Sequence, residues 1–164
     1  MIKRLILAVL IALPLSIFAQ KFGVVDVEAI ITSMPEYTAV QKQINDASTK
    51  YQAEFDNLNK EMEKKVTEYQ TLEKDATTPE SIKERRIQEI QDLQAKIDQF
   101  RNTVSQDLQR QHQQLMAPVE QKVQDAIKTV GQEGSFTFIF PKGISLYDGT
   151  DVVDTTEAVK AKLK

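Results

Sequence analysis

The sequence contains no cysteine. Disulfides, thiolate metal sites and a cysteine-borne lipid anchor are therefore excluded. Histidine occurs once, as His112. No second histidine or carboxylate cluster stands at ligand spacing from it, so it reads as a polar helix-surface residue and not as a metal ligand. Glycine and proline are scarce, five of each in 164 residues. No phosphate-cradling loop, dinucleotide-binding turn or nucleophile elbow is present. Asp148, Asp151 and Asp154 lie close together but lack the loop length and closing glutamate of a calcium site, and they read as turn and cap residues. Basic residues are not in excess, at 21 against 24 acidic ones, which excludes the usual charge signature of a nucleic-acid binder. With no catalytic constellation, no metal site and no cofactor implied, the chain reads as a binder and not as an enzyme.

What is present begins with Lys3 and Arg4, followed by an apolar run from Leu5 to Leu15 that Pro14 interrupts, then Ser16-Ile17-Phe18-Ala19. This is the pattern of a secretory signal over residues 1–19, with cleavage expected after Ala19. The apolar run is too short to span a bilayer comfortably. Without Lys3 and Arg4 the balance becomes 19 basic to 24 acidic residues, a net charge of −5. The expectation is an exported chain that is soluble once the signal is removed.

The dominant feature lies between Glu36 and Val130. Ile44, Ala47, Tyr51, Phe55, Leu58, Met62, Val66 and Tyr69 recur at steps of three and four with an 11-residue repeat. That period keeps an apolar stripe nearly straight along a helix. Ile90, Leu93, Ile97, Phe100, Val104 and Leu108 form a second stripe. The remaining faces are Glu, Lys, Gln, Asp and Arg, a solvated surface laced with i,i+4 pairs. Neither helix is stable alone, because most helix stability comes from burying the apolar face. Each is therefore predicted to close on the other as an antiparallel hairpin. Its tip falls at 75–79, with Thr78 as cap and Pro79 at the first helical position. Partners across the seam should have residue numbers that add to about 153, given this tip. Pro35 and Pro118 then lie at one level, which sets an arm of residues 36–117, about 60 Å long at 1.5 Å per residue.

The ends of the chain read as a small body, residues 20–35 and 118–164. Lys21 to Val27 is a predicted strand, with Phe22 and Val24 facing the core. Val119, Val123, Ile127 and Val130 carry the second long helix past a kink at Pro118, until Gly131 and Gly134 end it. Ser135 to Phe140 is the clearest strand, with Phe136, Phe138 and Phe140 alternating along it. Ile144 to Tyr147 reads as the returning strand after a Lys142-Gly143 turn. Asp154 with Glu157 forms a capping box for a last helix that buries Val159 and Leu163. A body of this size buries too little surface to be robust alone. Phe22, Val24, Phe136, Phe138, Phe140, Ile144 and Leu146 are accordingly expected to join several copies into a homo-oligomer. The fold class is α+β, mostly α: a long antiparallel coiled-coil hairpin projecting from a small β-rich oligomerisation body.

The mature chain resembles the Skp/OmpH family of periplasmic chaperones. The resemblance rests on the order and size of the elements, on Phe22-Gly23-Val24-Val25-Asp26, on Met34-Pro35-Glu36-Tyr37 opening the first long helix, and on Pro118 at the base of the arm. Its most specific piece is Leu146-Tyr147-Asp148-Gly149-Thr150-Asp151-Val152-Val153-Asp154 before a short helix. The resemblance implies a trimer whose bodies share a β-barrel and whose arms cage unfolded outer-membrane β-barrel proteins without ATP. It also implies transient contact with a membrane surface, while the charge balance implies no nucleic-acid partner. Well-known members of the family have basic arms, whereas Lys60 to Glu89 here carries 7 basic and 8 acidic residues. A lipopolysaccharide site is therefore not carried over. The alternative class is a coiled-coil spacer or adaptor of the cell envelope.

Overall fold

The computed structural model describes residues 20–164, so the expected signal segment 1–19 lies outside the described residues. The chain divides into two compact units, Glu28–Gln124 and residues 20–27 with Asp125–Lys164. The elements run β1 (Phe22–Val25), α1 (Val27–Ser33), α2 (Pro35–Lys74), α3 (Glu80–Glu133), β2 (Phe138–Pro141), β3 (Val153–Asp154) and α4 (Thr156–Lys162).

The first unit is an antiparallel helical hairpin. Met34 lies between α1 and α2, and Pro35 opens α2 at a position where its missing N–H costs no hydrogen bond. Leu58, Leu93 and Ile97 form a buried cluster across the seam, with Phe55, Met62 and Phe100 packed against it. The numbers of cross-seam partners add to 154 for Lys65 with Glu89 and to 158 for Glu36 with Lys122. The register therefore lies slightly above the expected 153 toward the open end. The turn is held by Asp75, whose carboxylate accepts from the Thr77 amide at 2.9 Å and from the hydroxyls of Thr77 and Thr78. This corrects the expected tip. The Thr78 hydroxyl donates back to Asp75, and α3 begins at Glu80, leaving Pro79 one residue before the helix. α3 then runs unbroken through the exposed Pro118.

The second unit is a three-stranded, all-parallel sheet in the order β2-β1-β3. Phe22 pairs with Phe138, Val24 with Phe140 and Gly23 with Ile139. Parallel partners point to the same side, so Phe22, Val24, Phe138 and Phe140 share one face. On the other face Ile139 approaches Gly131 of α3. A side chain on Gly23 would meet Phe136 and Thr155 at about 3.1 Å, so glycine is needed at this position for close packing. Val24, Val25, Ala126, Val130 and Val159 are buried in this unit. Thr155 is buried too, and both its amide and its hydroxyl donate to the Val24 carbonyl.

Three sequence expectations are corrected here. Phe136 is not in a strand. Ser135 takes a left-handed φ of 52°, Phe136 N–H bonds to Gly131 C=O at 3.0 Å, and Ser135 N–H bonds to Gln132 C=O at 3.2 Å. These two bonds make a Schellman stop for α3, which consumes the residues expected to begin the strand. Ile144 and Leu146 are not in a strand either. The Ser145 hydroxyl accepts from the Tyr147 amide and donates to the Tyr147 carbonyl, a local closure that competes with sheet pairing. The capping box is also displaced. Asp154 accepts from the amide and hydroxyl of Thr156, with Thr155 at the cap position, and Glu157 pairs with Lys160 instead.

The left-handed serine gives a direct test. Ser135→Gly is expected to stabilise the fold by about 1 kcal/mol, because glycine carries no Cβ penalty in this region. A melting temperature equal to or below that of the wild type would refute this account of the helix stop.

Candidate functional site: hairpin seam and exposed aromatic face

The seam is built from positions where α2 and α3 each present one apolar side chain per turn. Leu58, Leu93 and Ile97 are fully packed, whereas Ile44, Tyr51, Phe55, Met62, Tyr69, Ile90, Phe100, Val104 and Leu108 are half-buried. Tyr51 and Phe100 meet edge-on, with ring centroids 6.2 Å apart. The Tyr51 hydroxyl donates across the seam to Asp107, which also accepts from Gln111 at 2.5 Å and pairs with Arg110. Tyr51 and then Gln111 hold the Asp107 carboxyl below its ordinary range, and Asp107 in turn pushes the Tyr51 hydroxyl up. The stripe predicts Tyr51 in the seam but does not show Asp107. The one available signal is that Asp107 sits beside Leu108 and four residues before Gln111, a gap in the stripe.

Nearer the tip, Glu89 gathers three cations. Lys65 reaches it from the other helix at 3.1 Å, Arg86 at 2.8 Å and Arg85 at 3.2 Å. The hydrogen bond from Lys65, then that from Arg86, lowers its carboxyl from an ordinary 4.5 to about 2. A carboxylate with a depressed pKa adds stability above its ordinary value, and that contribution is lost as pH falls through the folded one. Thermal stability of the wild type is expected to drop between pH 4.5 and pH 2 by more than that of Glu89→Gln. Parallel profiles would show that the bridge does not hold the hairpin.

In the sheet unit, Phe22 and Phe138 stack with centroids 6.3 Å apart, and Phe138 and Phe140 with centroids 5.7 Å apart. Yet Phe138 is 56% exposed and Phe140 43% exposed. Ile144, Leu146 and Tyr147 are more exposed still. Residues from this segment, with Phe22, Val24 and Phe140, border a cavity of about 260 Å³. Phe136 belongs to the covered side, where Lys21 Nζ lies 4.2 Å from its ring centroid and donates to the Gly134 carbonyl. Of the residues expected to join copies, Phe22, Val24, Phe138 and Phe140 share the open face and Ile144 borders the cavity above it, while Phe136 does neither.

Thr78 and Pro79 form part of the exposed turn that the Asp75 carboxylate holds. His112 is exposed. Among the described residues, no group of three or more His, Asp or Glu stands together as a metal site. Among those residues, too, no helix is long and apolar enough to cross a membrane.

Residues 21–163 match the model of the family described as Outer membrane protein (OmpH-like). The fold is similar to a crystal structure from Caulobacter crescentus CB15 described as a candidate outer membrane chaperone (OmpH-like). The TM-score is 0.74 at 14% sequence identity, over 88% of this chain and 83% of that one. No curated protein matches the sequence significantly. Since the family match extends over nearly the whole described chain, the protein belongs to the OmpH-like outer membrane protein family.

Proposed function

We propose that the protein is an ATP-independent holdase of the periplasm that encloses unfolded outer-membrane proteins and prevents their aggregation in transit. The observation that carries this reading is how the hairpin spends its apolar residues. Leu58, Leu93 and Ile97 are buried in its own seam, and the outer positions are mainly charged or amide side chains with scattered Ser, Thr, Ala and Ile. Such a surface makes many weak contacts and no tight site. Retention then comes from the effective concentration inside an enclosure built from several copies. In this reading the copies meet through the aromatic sheet face, residues 36–117 of each form an arm, and the number three follows the family resemblance. The description of the Caulobacter protein as a candidate chaperone supports the same reading.

The test is light scattering from a urea-denatured outer-membrane barrel protein diluted into buffer with the mature chain and no nucleotide. Scattering is expected to fall to baseline as chaperone is added. The effect should persist at high salt, because charges of both signs are interspersed along the hairpin. Undiminished aggregation, or a requirement for ATP, overturns the proposal.

A further inference from the structure

The hairpin carries a groove of about 480 Å³ between its helices, one turn or two beyond the buried cluster toward the open end. Its floor is Phe55, Phe100, Val104 and Leu108. The groove exists because Ser48 and Ser105 stand beside the seam where larger side chains would fill it. One end is walled by Tyr51, whose hydroxyl is tied to Asp107 and whose ring therefore stays in place. Arg101 lies on the rim, its guanidinium 4.8 Å from the Phe55 ring centroid.

Arg101 differs from the other described arginines. Arg85, Arg86 and Arg110 each pair with a carboxylate. Among the described residues, none forms an ion pair or hydrogen bond with Arg101. Stacking on Phe55 holds the guanidinium in place and leaves N–H donors unused, the geometry that suits a carboxylate. No acid among the described residues lines the groove, and Asp107, the partner of the Tyr51 hydroxyl, is occupied by Tyr51, Gln111 and Arg110. The groove thus offers an apolar floor, a fixed aromatic wall and one unpaired positive charge.

We propose that this groove is a client subsite for an aromatic residue followed by a carboxylate in an unfolded chain. The ring lies on Phe100 and Val104, and the carboxylate bonds to Arg101. The volume accommodates an aromatic side chain together with its neighbours. The inference rests on the holdase reading and names the chemistry that one of its weak contacts selects.

The chain contains no tryptophan, so the fluorescence of a tryptophan peptide reports binding without background. The probes are Ac-Gly-Trp-Glu-Gly-amide and Ac-Gly-Trp-Gln-Gly-amide, titrated with the mature protein. The glutamate peptide is expected to bind about fivefold more tightly, the upper range for a partly exposed ion pair. Arg101→Gln should erase that ratio and leave the glutamine peptide unchanged. Ser105→Leu, at an exposed helical position, should fill the groove and weaken both peptides. Equal binding of the two peptides, or a ratio that survives Arg101→Gln, overturns the proposal. Dodecanoate binding where neither peptide does would also overturn it and make the occupant an amphiphile. If the peptides fail while the wild type still suppresses aggregation, the subsite is wrong and the holdase reading stands.

Discussion

Replacing Ile97 with alanine is expected to destabilise the hairpin by about 3 kcal/mol, the usual cost of removing a buried branched side chain and leaving a cavity. Ile97 is only 2% exposed and sits in the cluster with Leu58 and Leu93. This cluster is the central apolar contact of the seam, so few neighbours can move in to fill the space. The i,i+4 ion pairs on the outer faces compare poorly. Lys42 with Asp46 and Lys64 with Glu68 are largely solvated, and such pairs contribute about 0.3–0.5 kcal/mol each. The cluster, not the charged surface, therefore sets the stability of the hairpin. Urea unfolding followed by circular dichroism measures this. Ile97→Ala should lower the midpoint strongly without changing the slope, whereas Lys42→Ala should leave it nearly unmoved. A midpoint shift no larger than that of Lys42→Ala would mean the seam is held elsewhere.

The hairpin was readable because helix periodicity is a local signal and both stripes are long. The spacing of Leu58, Leu93 and Ile97 alone implies a common seam, and one break at 75–79 leaves a single way to close it. Asp107 was not readable because its partner Tyr51 lies 56 positions away, and a hydroxyl within an apolar stripe does not announce what it will bond. The chemistry of the tip was not readable either. Asp75 takes the hydroxyls that a Thr78 cap would have needed.

The sheet was less readable for a different reason. Alternation along Phe136, Phe138 and Phe140 identifies an extended segment but says nothing about pairing partners. β1 pairs in parallel with β2 and with β3, across more than a hundred residues of intervening chain. The apparent start of the strand, Ser135-Phe136, follows a long helix that must end. Closing the last carbonyls of α3 outweighed strand propensity there. Ile144 to Tyr147 shows the same competition at the other side of Pro141, where a serine hydroxyl closes a local loop.

The open sheet face leads to the largest effect on assembly. If copies assemble as proposed, the double variant Phe138→Ser, Phe140→Ser is expected to sediment as a monomer at concentrations where the wild type sediments as an oligomer. Both rings stack on the same face as Phe22, and both remain substantially exposed in the single chain. Their removal therefore costs the isolated fold little, while an interface that covers them loses both anchors. Truncating a buried aromatic anchor typically costs about 2 kcal/mol or more, so two of them weaken each contact by about a thousandfold. In the proposed enclosure each copy would contribute the same pair, so every interface would be affected together. Ile82→Ser provides the control, since Ile82 is also an exposed apolar residue but belongs to the helical hairpin. Its sedimentation should match that of the wild type. Circular dichroism separates loss of assembly from loss of fold, because the helices of the double variant should remain. An oligomer that survives both substitutions would place the contact between copies on another surface. A wild type that sediments as a monomer would remove the enclosure, and with it the physical basis for holding a client through many weak contacts.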